Sequence, residues 1–344
     1  MKEKEIRLAH GGGGQLTNEL IHQVILPALG GGQDPKRLSD SATVAWPDQP
    51  AGGGKVVFTT DSFVVWPLEF PGADIGKLAV CGTLNDLAVS GAHPAAMSMA
   101  LVLEEGLSIE LLARVLASAG KEALQAGVRI LTGDTKVVER RGEPGLVINT
   151  TGLGYPMPRA KLGFDRLEEG DRVLLSGPLG QHGLAVMIRR KGLSIASTLQ
   201  SDCANLQPLA AELVSKLGPA VKWMRDPTRG GLAATLAELS DATGRSIEIA
   251  QQAMPVDPAA LSAAEFLGLD LLSVANEGKL VAVVKAEASA QAVKILRQFP
   301  IARQAADIGQ IGPVGELPLV EMLTRAGGRR IVQMPYGEEL PRIC

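Results

Sequence analysis

The chain has 344 residues, 46% of them hydrophobic but only 3% aromatic, and a formal net charge of -3 at pH 7. That length suits two domains of roughly 150 residues each, and an interior built from Ala, Val, Leu and Ile suits close-packed α/β layers. No long Lys/Arg block offers a footprint for DNA or RNA, and no stretch reaches the ~18–20 apolar residues of a membrane span; nucleic acid and membrane are excluded as main partners. The charged start at residues 1–7 lacks an apolar leader core, so a cytoplasmic protein is expected.

Along the chain, a glycine run at 11–14 feeds a short helix, and further glycine triplets at 30–32 and 52–54 punctuate a polar connector. A strand is predicted at 56–60, a helix at 75–90, a strand at 97–103, a helix at 109–126, and strands at 128–131 and 146–153. The polar, glycine-containing segment 159–170 reads as an interdomain linker. A second α/β unit follows, with strands at 171–176, 247–249, 280–284 and around Ile308, and helices at 183–190, 206–217 and 231–243. After Gly315 the pattern thins, and residues 335–341 read as part of a mobile tail.

Three aspartates are expected at strand ends or glycine-containing turns: Asp61, Asp86 and Asp134. Ligands of open α/β sheets bind at such ends. Asn85 and Asp86 interrupt an otherwise apolar helix, and a buried carboxylate is costly unless paired or bound to a cation. Magnesium with a polyphosphate would relieve that cost; a simple capping role for each Asp is the alternative. The segment Asp226-Pro227-Thr228-Arg229-Gly230-Gly231, ahead of a helix, offers amides, a hydroxyl and a guanidinium to phosphate. It is not a Walker loop, and the run at 11–14 is not a dinucleotide fingerprint. Asn276-Glu277-Gly278-Lys279 puts a carboxylate at a sharp turn, and Lys136 follows Asp134 by two; read alone, each is an ordinary charged residue.

Cys81, Cys203 and Cys344 are far apart and form no Cys-x-x-Cys, which argues for reduced thiols over a disulfide framework or structural zinc. Cys344 is different in kind. A thiol at a free C-terminus adds little to a core but can be carried into one active site and presented to another. Counting from Tyr336, an extended tail spans up to roughly 30 Å.

Taken together, residues 10–14, Thr59-Thr60-Asp61-Ser62-Phe63, residues 85–92, Thr132-Gly133-Asp134-Thr135-Lys136, residues 225–231, Asn276-Glu277-Gly278-Lys279 and the final Pro341-Arg342-Ile343-Cys344 closely resemble the HypE family, the hydrogenase expression/formation proteins E of nickel-iron hydrogenase maturation. The internal motifs are shared with aminoimidazole ribonucleotide synthetase and selenophosphate synthetase. The terminal tetrapeptide narrows the resemblance, which runs from about residue 5 to 344. One departure is Gly12, where the family usually has Ser.

The resemblance implies an α/β (α+β), two-domain PurM-like fold: a glycine-rich segment at 1–40, an ATP-binding and dimerisation domain at 41–158, a C-terminal α/β domain at 159–320, and a tail at 321–344. It implies a homodimer using ATP and Mg2+, in which Cys344 receives a carbamoyl group from HypF. ATP-dependent dehydration to S-cyanate would follow, and the cyanide would pass to iron on a HypC-HypD complex. By resemblance, Asp61, Asp86 and Asp134 hold the metal, while Asp61, Asn85, Asp134, Thr135, Asp226, Thr228, Arg229 and Gly230 hold the nucleotide. Glu277 and Lys136 join Cys344 as catalytic residues. The competing readings are a synthetase of the same superfamily acting on a free substrate, and a non-catalytic thiol carrier.

Overall fold

Alternating burial along residues 55–63 and a mainly apolar run from Ile75 dictate the first layer pair, a sheet under a helix. The computed structural model describes residues 9, 12, 14–25, 41–45, 54–140, 142, 145–193 and 198–336. In the first half, strands β1 (Ala42–Ala45), β2 (Lys55–Phe63), β5 (Ala92–Glu104), β6 (Arg129–Val138) and β7 (Leu146–Pro156) form a five-stranded sheet in the order β1-β2-β7-β5-β6. The short pair β3 (Glu69–Phe70) and β4 (Ala73–Asp74) leads into helix α2 (Ile75–Val89); helix α1 (Gln15–Leu20) precedes the sheet. Helix α3 (Ile109–Gln125) packs beside α2.

Asp74 caps α2, its Oδ1 accepting from the amides of Gly76 at 2.7 Å and Lys77 at 3.0 Å. Unlike a surface helix, α2 is buried almost all round, because the first sheet lies on one side and the second half of the chain on the other. Gly82 is required here, since a Cβ would stand 2.8 Å from the Phe63 ring. Cys81 and Cys203 meet across this junction; hydrogen bonding to Cys81, then burial, push the Cys203 thiol well up, so both behave as interior packing thiols.

The second half builds a seven-stranded sheet in the order β14-β13-β10-β12-β8-β11-β9. Its strands are β8 (Arg172–Leu175), β9 (Val221–Arg225), β10 (Arg245–Ala250), β11 (Val281–Val284), β12 (Ala306–Val314), β13 (Val320–Leu323) and β14 (Arg329–Val332). Helices α4 (Gln181–Arg190), α5 (Gln207–Leu217), α6 (Gly231–Thr243), α7 (Pro258–Leu267) and α8 (Ser289–Leu296) accompany them. The two-unit α/β expectation holds, with two corrections. A tail starting at 321 is displaced by the hairpin β13–β14, which carries the sheet to Val332 and turns Val320, Met322 and Val332 into the core. Asp61 and Asp134 are not at strand ends: β2 and β6 each run past them, because pairing with β7 and β5 continues through both positions.

Candidate active site at the junction of the two halves

The register of the first sheet decides which predicted residues can meet. Asp61 pairs with Thr150 on β7, which pairs with Met99 on β5, which pairs with Gly133 on β6. Side chains alternate between faces, so Asp61 shares the helix-covered face with buried Thr59 and Thr150. Helix α2 crosses there: an ideal Cβ at Gly82 lies 3.9 Å from the Asp61 carboxylate, and Asp86, one turn further on, accepts from the Thr59 hydroxyl at 2.7 Å. Thr83 and Thr150 join hydroxyls between them. Asp61 and Asp86 are thus brought to one place.

Asp134 is not. It stands in the next row, aligned with Ala100, Asn149 and Ser62, on the opposite, uncovered face. Three strand spacings, about 14 Å, also separate β6 from β2. There Asp134 pairs with Lys136 at 3.1 Å, and that hydrogen bond first of all holds its carboxyl below the usual range. Thr135 lies between them, directed to the other face. Among the described residues no group of three or more His, Cys, Asp or Glu side chains is placed to hold a metal ion. The expected triad of Asp61, Asp86 and Asp134 therefore does not form within one chain, because the pleat divides it. Asp61 and Asp86 beside the Thr59 hydroxyl are oxygen donors of the type a hard divalent cation takes, with phosphate completing the set.

Asn85 is fully buried and turned toward the second half, with its amide nitrogen donating to the carbonyls of Ala204 at 3.1 Å and Glu277 at 3.3 Å. Its Oδ1 accepts from the Leu206 amide at 2.8 Å. Both amide hydrogens are spent on backbone, so Asn85 fastens the halves together where the sequence suggested a nucleotide ligand.

Glu277 sits at the bottom of this junction. Gly278 beside it admits the carbonyl of Asp202 where a Cβ would collide. Asp202 closes the turn: its oxygens accept from the amides of Glu277 and Gly278, each at 3.2 Å, and from Lys279 Nζ at 2.9 Å. The Asp202–Lys279 pair is almost wholly buried, with side chains 2% and 4% exposed. Burial opposes ionisation of Asp202, but Lys279 and His182 outweigh it and hold the carboxyl below its ordinary value. His182, itself buried, meets Ser201 Oγ at 2.8 Å and the Phe70 ring edge-on. Burial pushes the Glu277 carboxyl well above the usual range, and the carboxylates of Asp226, Asp202 and Asp61 push it further against the pull of Arg229. Glu277 thus feels the charges of Asp61, Asp226 and Arg229 at this junction.

Asn276 secures the loop that carries Asp226, Thr228 and Arg229. Its Oδ1 accepts from Gly180 at 2.7 Å, and its Nδ2 donates to the carbonyls of Pro227 and Val274, both at 3.0 Å. Gly230 and Gly231 follow with φ of 76° and 62°, a left-handed pair that turns the chain into α6. A cleft of about 760 Å³ opens on this loop, walled by Asp226, Thr228 and Arg229 on one side and by Asn18, Gln333 and Met334 on the other. The sequence reading missed Asp202, Lys279 and His182 as site residues. A buried pairing across 77 positions leaves no local pattern, although Lys279 already stood in the quoted turn. Cys344 lies outside the described residues.

Residues 39–155 match the family described as AIR synthase related protein, N-terminal domain, and residues 168–320 match its C-terminal domain. Carbamoyl dehydratase HypE of Rhodobacter capsulatus is 42% identical over 346 residues, covering 100% of this chain and 99% of that protein. A crystal structure of the hydrogenase maturation protein HypE in complex with ATP superposes with a TM-score of 0.80 at 40% identity, over 99% of this chain and 100% of that one. A HypE-HypF complex gives 0.84 at 40% identity, over 92% and 99%. The resemblance drawn from the motifs and the PurM-like fold it implied are both upheld: the chain belongs to the HypE family of carbamoyl dehydratases, within the AIR synthase related proteins.

Proposed function

We propose that this protein is an ATP-dependent carbamoyl dehydratase of hydrogenase maturation, acting on a carboxamide carried by its own Cys344 and leaving an S-cyanate. One observation carries the reading beyond family membership. Glu277 is a buried carboxyl held in a clamped turn, its proton affinity raised by burial and by the neighbouring carboxylates, and it is set beside the loop of Asp226, Thr228 and Arg229. Removal of protons from an amide nitrogen requires a positioned base, and a carboxyl of raised proton affinity is a stronger one than a solvated carboxylate.

The chemistry needs both halves of the site. An amide oxygen is a poor leaving group; phosphoryl transfer from ATP to the carboxamide oxygen makes it a good one, and loss of phosphate with the nitrogen protons leaves the nitrile. Arg229 and the amides around Gly230 supply positive charge for the phosphates. Asp61 and Asp86 would hold Mg2+, which supplies charge neutralisation on the phosphates when bound. Glu277 takes the proton from nitrogen, and Asp202 and Asn85 hold its backbone in place.

Asp134, Thr135 and Lys136 enter this scheme through a homodimer. Phe58, Leu153 and Tyr155 are 39%, 45% and 55% exposed on the sheet face that no described helix covers, and β6, carrying Leu131 and Val137, is an edge strand among the described residues. Such an edge invites pairing. A second copy meeting this face and edge is the arrangement in which Asp134 and Lys136 can serve a site that their own chain keeps them from. HypF, which a HypE relative binds in a solved complex, is the carbamoyl donor in this reading, and a HypC-HypD complex the acceptor of cyanide.

The test is ATP turnover. Wild type should consume ATP only when Cys344 carries the carbamoyl group, and Cys344→Ala should not respond to the donor at all. Equal turnover with and without the modified thiol would point instead to a synthetase with a free substrate.

A further inference from the structure

The first and last described segments are joined at the mouth of the cleft. The amide of Gln15 donates to the Pro335 carbonyl at 2.9 Å, that of Leu16 to the Tyr336 carbonyl at 3.3 Å, and Asn18 Nδ2 lies 3.4 Å from the Met334 sulfur. Gly14 makes this approach possible. Its φ of -105° and ψ of -161° are extended values that any residue adopts, so conformation does not call for glycine there. Space does: a Cβ at Gly14 would strike the Pro335 carbonyl oxygen and stand 3.0 Å from its carbon. Met334 and Asn18 line the same cleft as Asp226, Thr228 and Arg229.

We propose that Gly14 is a positioning residue for the reaction: by admitting the Pro335 carbonyl against the start of α1, it fixes the root from which Cys344 is delivered to the Glu277 site. The inference rests on the reading of Cys344 as the carboxamide carrier. From Tyr336 to Cys344 an extended chain reaches about 26–29 Å at roughly 3.3–3.6 Å per residue. Without the clasp, the last residue held by the sheet is Val332. The longer free chain lowers the local concentration of the thiol about twofold by length alone. Each backbone hydrogen bond lost shifts the clasp itself about fivefold toward opening. Delivery to the site then slows, while capture of the tail by an outside carbamoyl donor does not.

Two variants test this. Gly14→Ala obstructs the carbonyl. Gln15→Pro deletes one donated hydrogen bond at the first position of α1, where proline is tolerated, and the extended Gly14 suits the residue before it. Intact mass would follow carbamoylation of Cys344 by a HypF-type transferase, then loss of water in a single turnover at saturating ATP. Both variants are expected to acquire the adduct like wild type and bind ATP equally, but to lose water more slowly, by about twofold where the clasp is fully open. Hydrogen exchange at the Gln15 and Leu16 amides, slow in wild type, should be fast in Gly14→Ala. Dehydration at the wild-type rate in Gly14→Ala, or unprotected amides in wild type, overturns the proposal. A wild type that takes no adduct while those amides stay protected would instead remove the carrier reading on which it depends.

Discussion

Replacing Asn85 by Ala separates two roles that its motif cannot distinguish. The substitution leaves the Leu206 amide and the Ala204 carbonyl without the Asn85 side chain at a fully buried place, while the Glu277 carbonyl keeps only the Ala204 amide at 3.3 Å. A buried polar group stripped of its hydrogen bond costs ~1–3 kcal/mol. With partial relaxation around two such groups, the loss should be about 2–4 kcal/mol in urea unfolding followed at equilibrium. Asn85→Asp should be worse, since it sets an acceptor against two carbonyls. Because the side chain spends both amide hydrogens on backbone, the Kd for ATP, measured by calorimetry on folded protein, should change less than threefold. A stability loss under about 1 kcal/mol combined with ATP binding weakened tenfold or more would refute the clamp and restore Asn85 as a nucleotide ligand.

Glu277→Gln should cut dehydration of the carbamoylated protein by ~10²–10⁴-fold, the range of a lost general base, while the ATP Kd is kept. Because burial and its acidic neighbours raise the folded-state pKa of Glu277, its contribution to stability is full below the unfolded value and is lost as pH rises through the folded one. Urea unfolding at rising pH should therefore favour Glu277→Gln over wild type progressively; parallel curves would contradict the burial argument. Asp202 carries the opposite sign: its folded pKa is lowered, so its contribution is present above the unfolded value, ~3.9, and fades as pH falls through the folded value. Asp202→Ala leaves Lys279 buried without its carboxylate and should cost ~3–5 kcal/mol at neutral pH. For the uncovered sheet face, sedimentation of Leu153→Asp should show monomers and lost turnover where wild type shows dimers; a dimeric, active variant would place the joint elsewhere.

Much of the fold was legible because its signals are local. The apolar run of α2 gave that helix nearly its observed bounds, 75–90 against 75–89, while β2, expected at 56–60, runs on to Phe63. β13 and β14 were missed because the polar Thr324–Gly328 turn and exposed Arg329 and Arg330 dilute strands that bury one face only. In the candidate site, Asp61, Asp86 and Asp226 were singled out because carboxylates beside glycines stand out in apolar surroundings, while Glu277 entered through the family resemblance. What sequence could not supply was facing. Asp134 looks like Asp61 in its motif, yet a one-residue difference in row sends it to the other side of the sheet. Asn85 looks like a ligand because a buried amide has the same appearance in sequence whether it meets a phosphate or a backbone turn.

The most direct measurement is the intact mass of wild type and Cys344→Ala after incubation with a HypF-type carbamoyltransferase, carbamoyl phosphate and Mg-ATP. A carbamoyl adduct that forms only when Cys344 is present and then loses one water is the predicted result. A stable adduct that never loses water would leave a thiol carrier and contradict the dehydratase, and an adduct of equal size on Cys344→Ala would contradict the carrier itself.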